Sequence, residues 1–233
     1  MVLGTTAKKR AAPARHRATA PEAKSERRAA ILQAAVDLLR EAPLGVFSVD
    51  TLAQRAGLAK GTVYLYFGTR EEVLLAVHAE RAQILFDVLE HALAAPRANA
   101  RGIARAVIRH LKMHPEFLPL AANCRGMLET NIGVETAVEF KRAIGARLAQ
   151  LGARVELMYP QLARGRGVTL LMASYGLMLG LWQIADPPEC LAASMALPEM
   201  RVFRIDFETQ LGTALMNLWE GATQRATRQV RHR

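Results

Sequence analysis

Cysteine is almost missing from this chain: Cys124 and Cys190 are the two in 233 residues, far apart and neither in a CxxC pair. That excludes a disulfide framework and suits a reducing compartment. Aromatic residues are scarce at 6%, and no stretch alternates apolar and polar residues, so a sheet has little to form from. Catalytic constellations are missing too. HExxH is absent, Gly165-Arg166-Gly167 lacks the strand and third glycine of a dinucleotide fingerprint, and no nucleophile, base and orienting group share a recognisable spacing. No enzyme, cofactor or metal site is therefore expected. Long apolar runs reduce to one, GVTLLMASYGLMLGLWQIA at 167–185, without a charge in 19 residues. It could span a bilayer by length, but Thr169, Ser174 and Gln183 lie within it, and a helix buried on every side is the expected reading. No apolar signal segment follows the first residues, and a cytoplasmic location is expected.

What is present points to helices. Hydrophobic residues make up 51%, Ala, Leu, Arg and Glu dominate, and prolines cluster at a few points. The net charge of +10 is concentrated at the ends. Residues 1–28 hold eight Lys/Arg against two Glu, and 221–233 hold four Arg and no acid, whereas 29–220 balance 19 against 19. Residues 1–24 read as a basic disordered arm whose Lys8, Lys9, Arg10, Arg15 and Arg17 can track phosphates, or as a solubilising tail; 222–233 read as a basic tail.

The informative stretch is SVDTLAQRAGLAKGTVYLYFGTR, Ser48 to Arg70. Ser48 is a fitting N-cap, Leu52 and Ala53 face inward, and Gly57 supplies the turn, with Leu58 plugging it. A second helix from about Lys60 to Phe67 sets Val63 and Phe67 on one face and Lys60, Thr62, Leu65 and Tyr66 toward the other. Two short helices meeting at a glycine in this way form a helix-turn-helix, whose second helix enters the major groove. With Ile31, Ala35 and Leu38 of a preceding helix and the run KGTVYLYFGTREEVL, residues 27–75 resemble the N-terminal domain of the tetracycline-repressor (TetR) family.

The resemblance implies dimeric bacterial transcription regulators, mostly repressors released by small ligands. It implies base-edge contact for Lys60, Gly61, Thr62 and Tyr64, phosphate contact for Tyr66 and Arg70, and an approach by Ser48 and Asp50. Arg27 and Arg28 would meet the DNA backbone. Two departures stand out: Ala59 cannot cap the second helix with its side chain, and Leu65 is apolar, so it reaches a thymine methyl or faces nothing.

The expected fold class is all-α: an N-terminal three-helix helix-turn-helix domain (25–75) joined by a long helix, continuing to about 95, to a helical ligand-binding and dimerisation domain (97–221). A first helix runs to Glu41, closed by Pro43 and Gly45, and Thr69 with Glu72 forms a capping box for the long one. Further helices are expected at about 99–113, 117–128, 132–158, 165–185 and 199–221. The last carries Phe203, Phe207, Leu211, Leu215 and Leu218 in a stripe; with Gly176 and Gly180 of 165–185, it is expected to build a four-helix dimer interface, the arrangement the resemblance implies. A pocket for a largely apolar effector is expected among Met113, Phe117, Cys124, Met127, Leu128, Met158, Tyr159, Met172, Tyr175 and Met178, with Asn123, Arg125, Glu129 and Asn131 as nearby polar groups. The partners expected are double-stranded DNA with a palindromic operator, a second copy of the chain and a small-molecule effector, and no membrane. Two alternatives remain open: a redox- or metal-responsive regulator triggered at Cys124 or at His110/His114, and a non-specific architectural DNA binder.

Overall fold

A computed structural model describes the backbone of residues 20–41, 47–129 and 132–230, with side chains from 21 onward except 127–129, 189 and 223–230. The expected basic arm, up to residue 19, Pro43 and Gly45, the side chains of Met127, Leu128 and Glu129, all of Asn131 and the last residues of the basic tail lie outside the described residues.

Of the two starts that the sequence offers for the first helix, Ser25 or Pro21 in a first turn, α1 (Ala20–Glu41) takes the earlier. Pro21 fits there because first-turn N–H groups have no helical partner. Ile31, Ala35, Leu38 and Leu39 form its buried stripe. The helix-turn-helix follows as α2 (Val49–Arg55) and α3 (Lys60–Tyr64). Ser48 Oγ accepts from Thr51 N–H at 3.0 Å, and Gly57 makes the turn at φ 66°. The recognition helix is shorter than the sequence suggests. It starts at Lys60 without a side-chain cap from Ala59 and gives way at Leu65 to single turns, with Leu65 N–H bonded to Thr62 O and Tyr66 N–H to Val63 O. Phe67 still reaches the core beside Val63, Leu52 and Phe47. Leu58 is half-buried against that cluster.

Thr69 caps α4 (Arg70–Ala94) by accepting from Glu72 N–H at 3.1 Å. Glu72 reaches back one residue further than a simple capping box, to Gly68 N–H at 2.8 Å. Twenty-five residues span nearly 40 Å at about 1.5 Å per residue, enough to link head and body. The body comprises α5 (Ala100–Met113), α6 (Phe117–Glu129), α7 (Val134–Met158) and α8 (Arg166–Ala185). The short α9 (Glu189–Ala192) and two 3-10 turns lead to α10 (Phe207–Val230).

The final helix differs from expectation at both ends. Residues 198–203 form a 3-10 turn that starts at Pro198, and Arg204 donates to the carbonyls of Met195, Ala196 and Leu197 at 2.7–2.8 Å. Asp206 then starts α10 by accepting from Thr209 N–H at 2.7 Å. Phe203 therefore lies outside the helix and is 52% exposed.

Two hydrophobic clusters result. One spans α4, α5, α6, α7, α8 and α10, and the other joins α1–α3 to the start of α4. The second also takes in Leu120 and Cys124 of α6, with Phe140 of α7 against it. The head is therefore completed by a helix of the body.

Candidate functional site

The outer face of the helix-turn-helix is open. Lys60, Gly61, Tyr64 and Leu65 are exposed, Leu65 at 82%, so an apolar side chain stands open on the face that carries the polar ones. Thr62, Tyr66 and Arg70 are half-buried, so Tyr66 belongs partly to the core and not only to the outer face. Ser48 and Asp50 are exposed at the start of α2. The cations here are tied to neighbours: Lys60 Nζ to Asp50 at 2.7 Å, Arg70 to Glu71 at 2.7 Å and Arg28 to Glu80 at 3.6 Å. Arg28 also lies over the Phe67 ring at 5.3 Å, while Arg27 is exposed. The Lys60 and Arg28 pairs are exposed and therefore weak, so phosphates can draw these two cations away at little cost, whereas Arg70 is held in a partly buried pair.

The second feature is a cavity of about 280 Å³ in the body, lined from α4, α5, α6, α7, α8 and α10. Of the pocket residues expected from sequence, Phe117, Cys124, Met172, Tyr175 and Met178 line it. Met113 does not: it ends α5 and is 61% exposed. Met158 and Tyr159 pack at the far end of the body cluster, where Tyr159 meets Trp219 at 6.3 Å between ring centroids. Asn123 is exposed and spends its amide on Pro119 O at 2.9 Å. Sequence reasoning missed the α4 wall, including His78, Leu85 and Phe86, and the α7 wall of Phe140, Lys141, Ile144 and Leu148. The signal available is the apolar stripe of α4, which serves as a cavity wall as well as the link between domains.

The dimer residues separate into two groups. Gly176 is exposed and Gly180 half-buried, and a Cβ at either would meet nothing within 4 Å. Met172 and Ile184 on the same helix are about half exposed, so α8 presents an open face of small and apolar residues. This is the helix long and apolar enough to cross a membrane, with 22% of its window buried inside the subunit. Leu211 and Leu215 are instead 0% and 1% exposed. Their stripe is the face by which α10 packs on α5 and α8 of its own subunit, which removes them from any partner's reach. Phe207 and Leu218 are half-buried at the edge of that cluster.

Between head and body lies a buried charge cluster. Glu116, 1% exposed at the start of α6, pairs with Arg81 of α4 at 2.6 Å and Arg40 of α1 at 3.3 Å. Arg40 also donates to Met113 O at 3.1 Å. Burial alone would push the Glu116 carboxyl up; its own backbone N–H and the two guanidinium groups reverse this, and the net shift is downward. His110 and His114 stack nearby at 4.7 Å, but no group of three metal-ligating side chains exists among the described residues. Burial raises the pKa of Cys124, keeping it a thiol rather than the reactive thiolate. Neither the metal nor the redox alternative gains support.

Burial brings His78 down to about 4, with Lys141 adding to the effect, and His110 down to about 4, helped by His114 and Arg81. Both are neutral in the fold and charge in the unfolded chain as the pH drops below 6.5. The stability they contribute is thus whole at neutral pH and falls between 6.5 and about 4. Urea unfolding should show a loss on the order of a few kcal/mol across this range. His78→Phe, set between Phe117 and Phe140, should flatten the part of the curve above the carboxylate range; a wild-type midpoint that is constant from pH 7 to 5 would contradict the assignment.

A capped α2, a left-handed glycine turn and an exposed short α3 on a three-helix head define a helix-turn-helix DNA-binding transcription regulator. Residues 31–77 match the model of bacterial regulatory proteins of the tetR family, and residues 79–226 match the tetracyclin repressor-like C-terminal domain. The chain belongs to the TetR family. It is similar to the transcriptional regulator EthR of Mycobacterium tuberculosis, 42% identical over 75 residues, which is 32% of this chain and 35% of that protein. EthR of Mycolicibacterium smegmatis is 37% identical over 131 residues, 48% of this chain and 60% of that one. The chain thus covers between about a third and three fifths of these relatives. The fatty acid degradation regulator FadR from Bacillus halodurans superposes with TM-score 0.56 over 83% of this chain and 94% of its own at 16% identity, a likeness of fold.

Proposed function

We infer that the protein is a cytoplasmic repressor that binds a palindromic operator as a homodimer and leaves it when a small, largely apolar molecule fills the body cavity. The observation that carries this reading is the position of α6. Its Phe117 and Cys124 line the cavity, its Leu120 and Cys124 complete the core of the head, and Glu116 at its start holds Arg40 of α1. A ligand that displaces α6 acts on the head directly, and filling a site shifts the equilibrium by its difference in affinity for the two arrangements.

In DNA, Lys60, Gly61, Thr62, Tyr64 and Leu65 would face base edges, while Arg27, Arg28, Tyr66 and Arg70 would hold phosphates and Ser48 and Asp50 approach from α2. The open face of α8 around Gly176 and Gly180 would pack on its copy about a two-fold axis, with Phe203, Phe207 and Leu218 at the margin. Selection from random duplexes should return inverted half-sites; single half-sites or no preference over bulk DNA would overturn the reading and favour an architectural binder. Gly180→Leu should convert the dimer to monomers in sedimentation and weaken operator binding by about tenfold or more. A tight dimer would remove α8 from the interface.

A further inference from the structure

The cavity is uneven in its chemistry. At the α10 end the polar groups are satisfied: Ser174 donates to Leu170 O at 2.8 Å and accepts from Trp219 Nε1 at 3.0 Å. At the opposite end stands His78, 5% exposed, between Phe117 at 5.4 Å and Phe140 at 5.9 Å. Its buried Nδ1 has no hydrogen-bond partner among the described residues. An unpaired buried nitrogen is costly, and folds retain few of them.

Next to it, Lys141 places Nζ 5.8 Å from the centroid of the Phe140 ring. Lys141 is exposed, lines both the cavity and the outer groove of Ile132, Val134 and Val138, and pairs with no carboxylate among the described residues. Among the described residues, no Asp or Glu lines the cavity. The site therefore has an apolar body, a neutral imidazole and one uncompensated cation at its mouth.

We propose that the ligand is an aliphatic carboxylate of roughly ten carbons, its carboxylate on Lys141 beside His78 and its chain running inward toward Trp219. This rests on the reading of the cavity as the effector site. The length follows from the volume of about 280 Å³, room for roughly nine waters of ~30 Å³ each, and a methylene is close to a water in size. The charge follows from the lining. At the mouth an ammonium end would meet only the like charge of Lys141, a neutral end would gain nothing from it, and a carboxylate would be attracted to it. Met172 and Met178 let the wall adjust to chain length.

The experiment is calorimetric titration of the full chain with decanoate, decanol and decylamine below their aggregation limits. Decanoate should bind about tenfold or more tightly than decanol, the worth of one charge-assisted hydrogen bond, and decylamine least. Lys141→Gln should bring decanoate to the level of decanol and leave decanol unchanged. The His78 ring resonance should titrate at higher pH once decanoate is bound, a readout that a merely structural lysine would not move. Equal binding of decanol and decanoate, or an unchanged ratio in Lys141→Gln, would overturn the carboxylate and leave the cavity as the effector site. If none of the three binds, nor their homologues of roughly eight to fourteen carbons, the aliphatic carboxylate is overturned while the effector-site reading, which names no chain chemistry, stands apart from it.

Discussion

Glu116→Gln should destabilise the protein by about 3 kcal/mol or more, seen as a fall in Tm of roughly 10 °C in calorimetry. The carboxylate is almost fully buried and is met by Arg81, itself largely buried, and by Arg40. Glutamine keeps the shape but removes the charge, and its amide nitrogen adds a donor where two guanidinium groups already donate. What remains is an uncompensated cation inside the junction, which is why breaking such a pair costs far more than the pair contributes. The pH dependence identifies the cause. The folded carboxyl is held below its ordinary value, so its contribution is complete at neutral pH and is lost as the pH falls through the carboxylate range toward the folded value. The gap between wild type and Glu116→Gln should therefore close with acid. A gap that stays constant would show that packing, not charge, is at stake. Because Arg40 belongs to α1 and Arg81 to α4, the variant should also loosen the head against the body, and operator affinity should fall along with Tm.

The parts of this molecule that sequence disclosed are those whose causes are local. A cap needs one hydroxyl three residues from a free N–H, so Ser48 and Thr69 could be placed directly. A glycine between two short apolar patterns is enough to mark the turn at Gly57. The stripe of α10 was equally visible, but periodicity says which residues share a face and not what covers that face. Leu211 and Leu215 look free for a partner in sequence because α5, which buries them, is about a hundred residues away. The cavity was half legible for the same reason. Its α6 and α8 walls are rich in Met and aromatic residues, while its α4 and α7 walls are ordinary helix-face residues that become a lining only when four other helices close around them. Glu116 shows in sequence only as an acid beside the His110/His114 pair, not as the partner of two arginines. A glutamate after His-Pro reads as a solvated loop, and its two arginines lie 35 and 76 positions away.

Glycine shows the same limit, and Gly167→Ala should have the other large effect, about 3 kcal/mol or more. The eye-catching pair, Gly176 and Gly180, faces open space within the subunit. The pair that brings two helices into contact is Gly152 of α7 and Gly167 of α8, too far apart to suggest each other. A Cβ on Gly167 would overlap the carbonyl oxygen of Gly152, and one on Gly152 would meet Val168 Cγ2 at 2.5 Å and its backbone N at 2.8 Å. A side chain in such a clash can rotate away, but a carbonyl fixed in a helix cannot. No substitution at residue 152 relieves the overlap either, because every residue has that oxygen. The first turn of α8 must lift off α7, and with it would go the bond from Gly167 N–H to Glu156 at 2.9 Å, which places a carboxylate at the positive end of α8. Gly145→Ala is the control: it lies on the same α7, its Cβ would meet nothing within 4 Å, and the change should leave Tm unchanged or raise it by the gain in helix propensity, up to about 1 kcal/mol. Scanning calorimetry of the two variants separates the explanations. Equal Tm values would mean that α7 and α8 do not cross as closely as their glycines allow, whereas a drop confined to Gly167→Ala ties the stability of the body to one backbone contact.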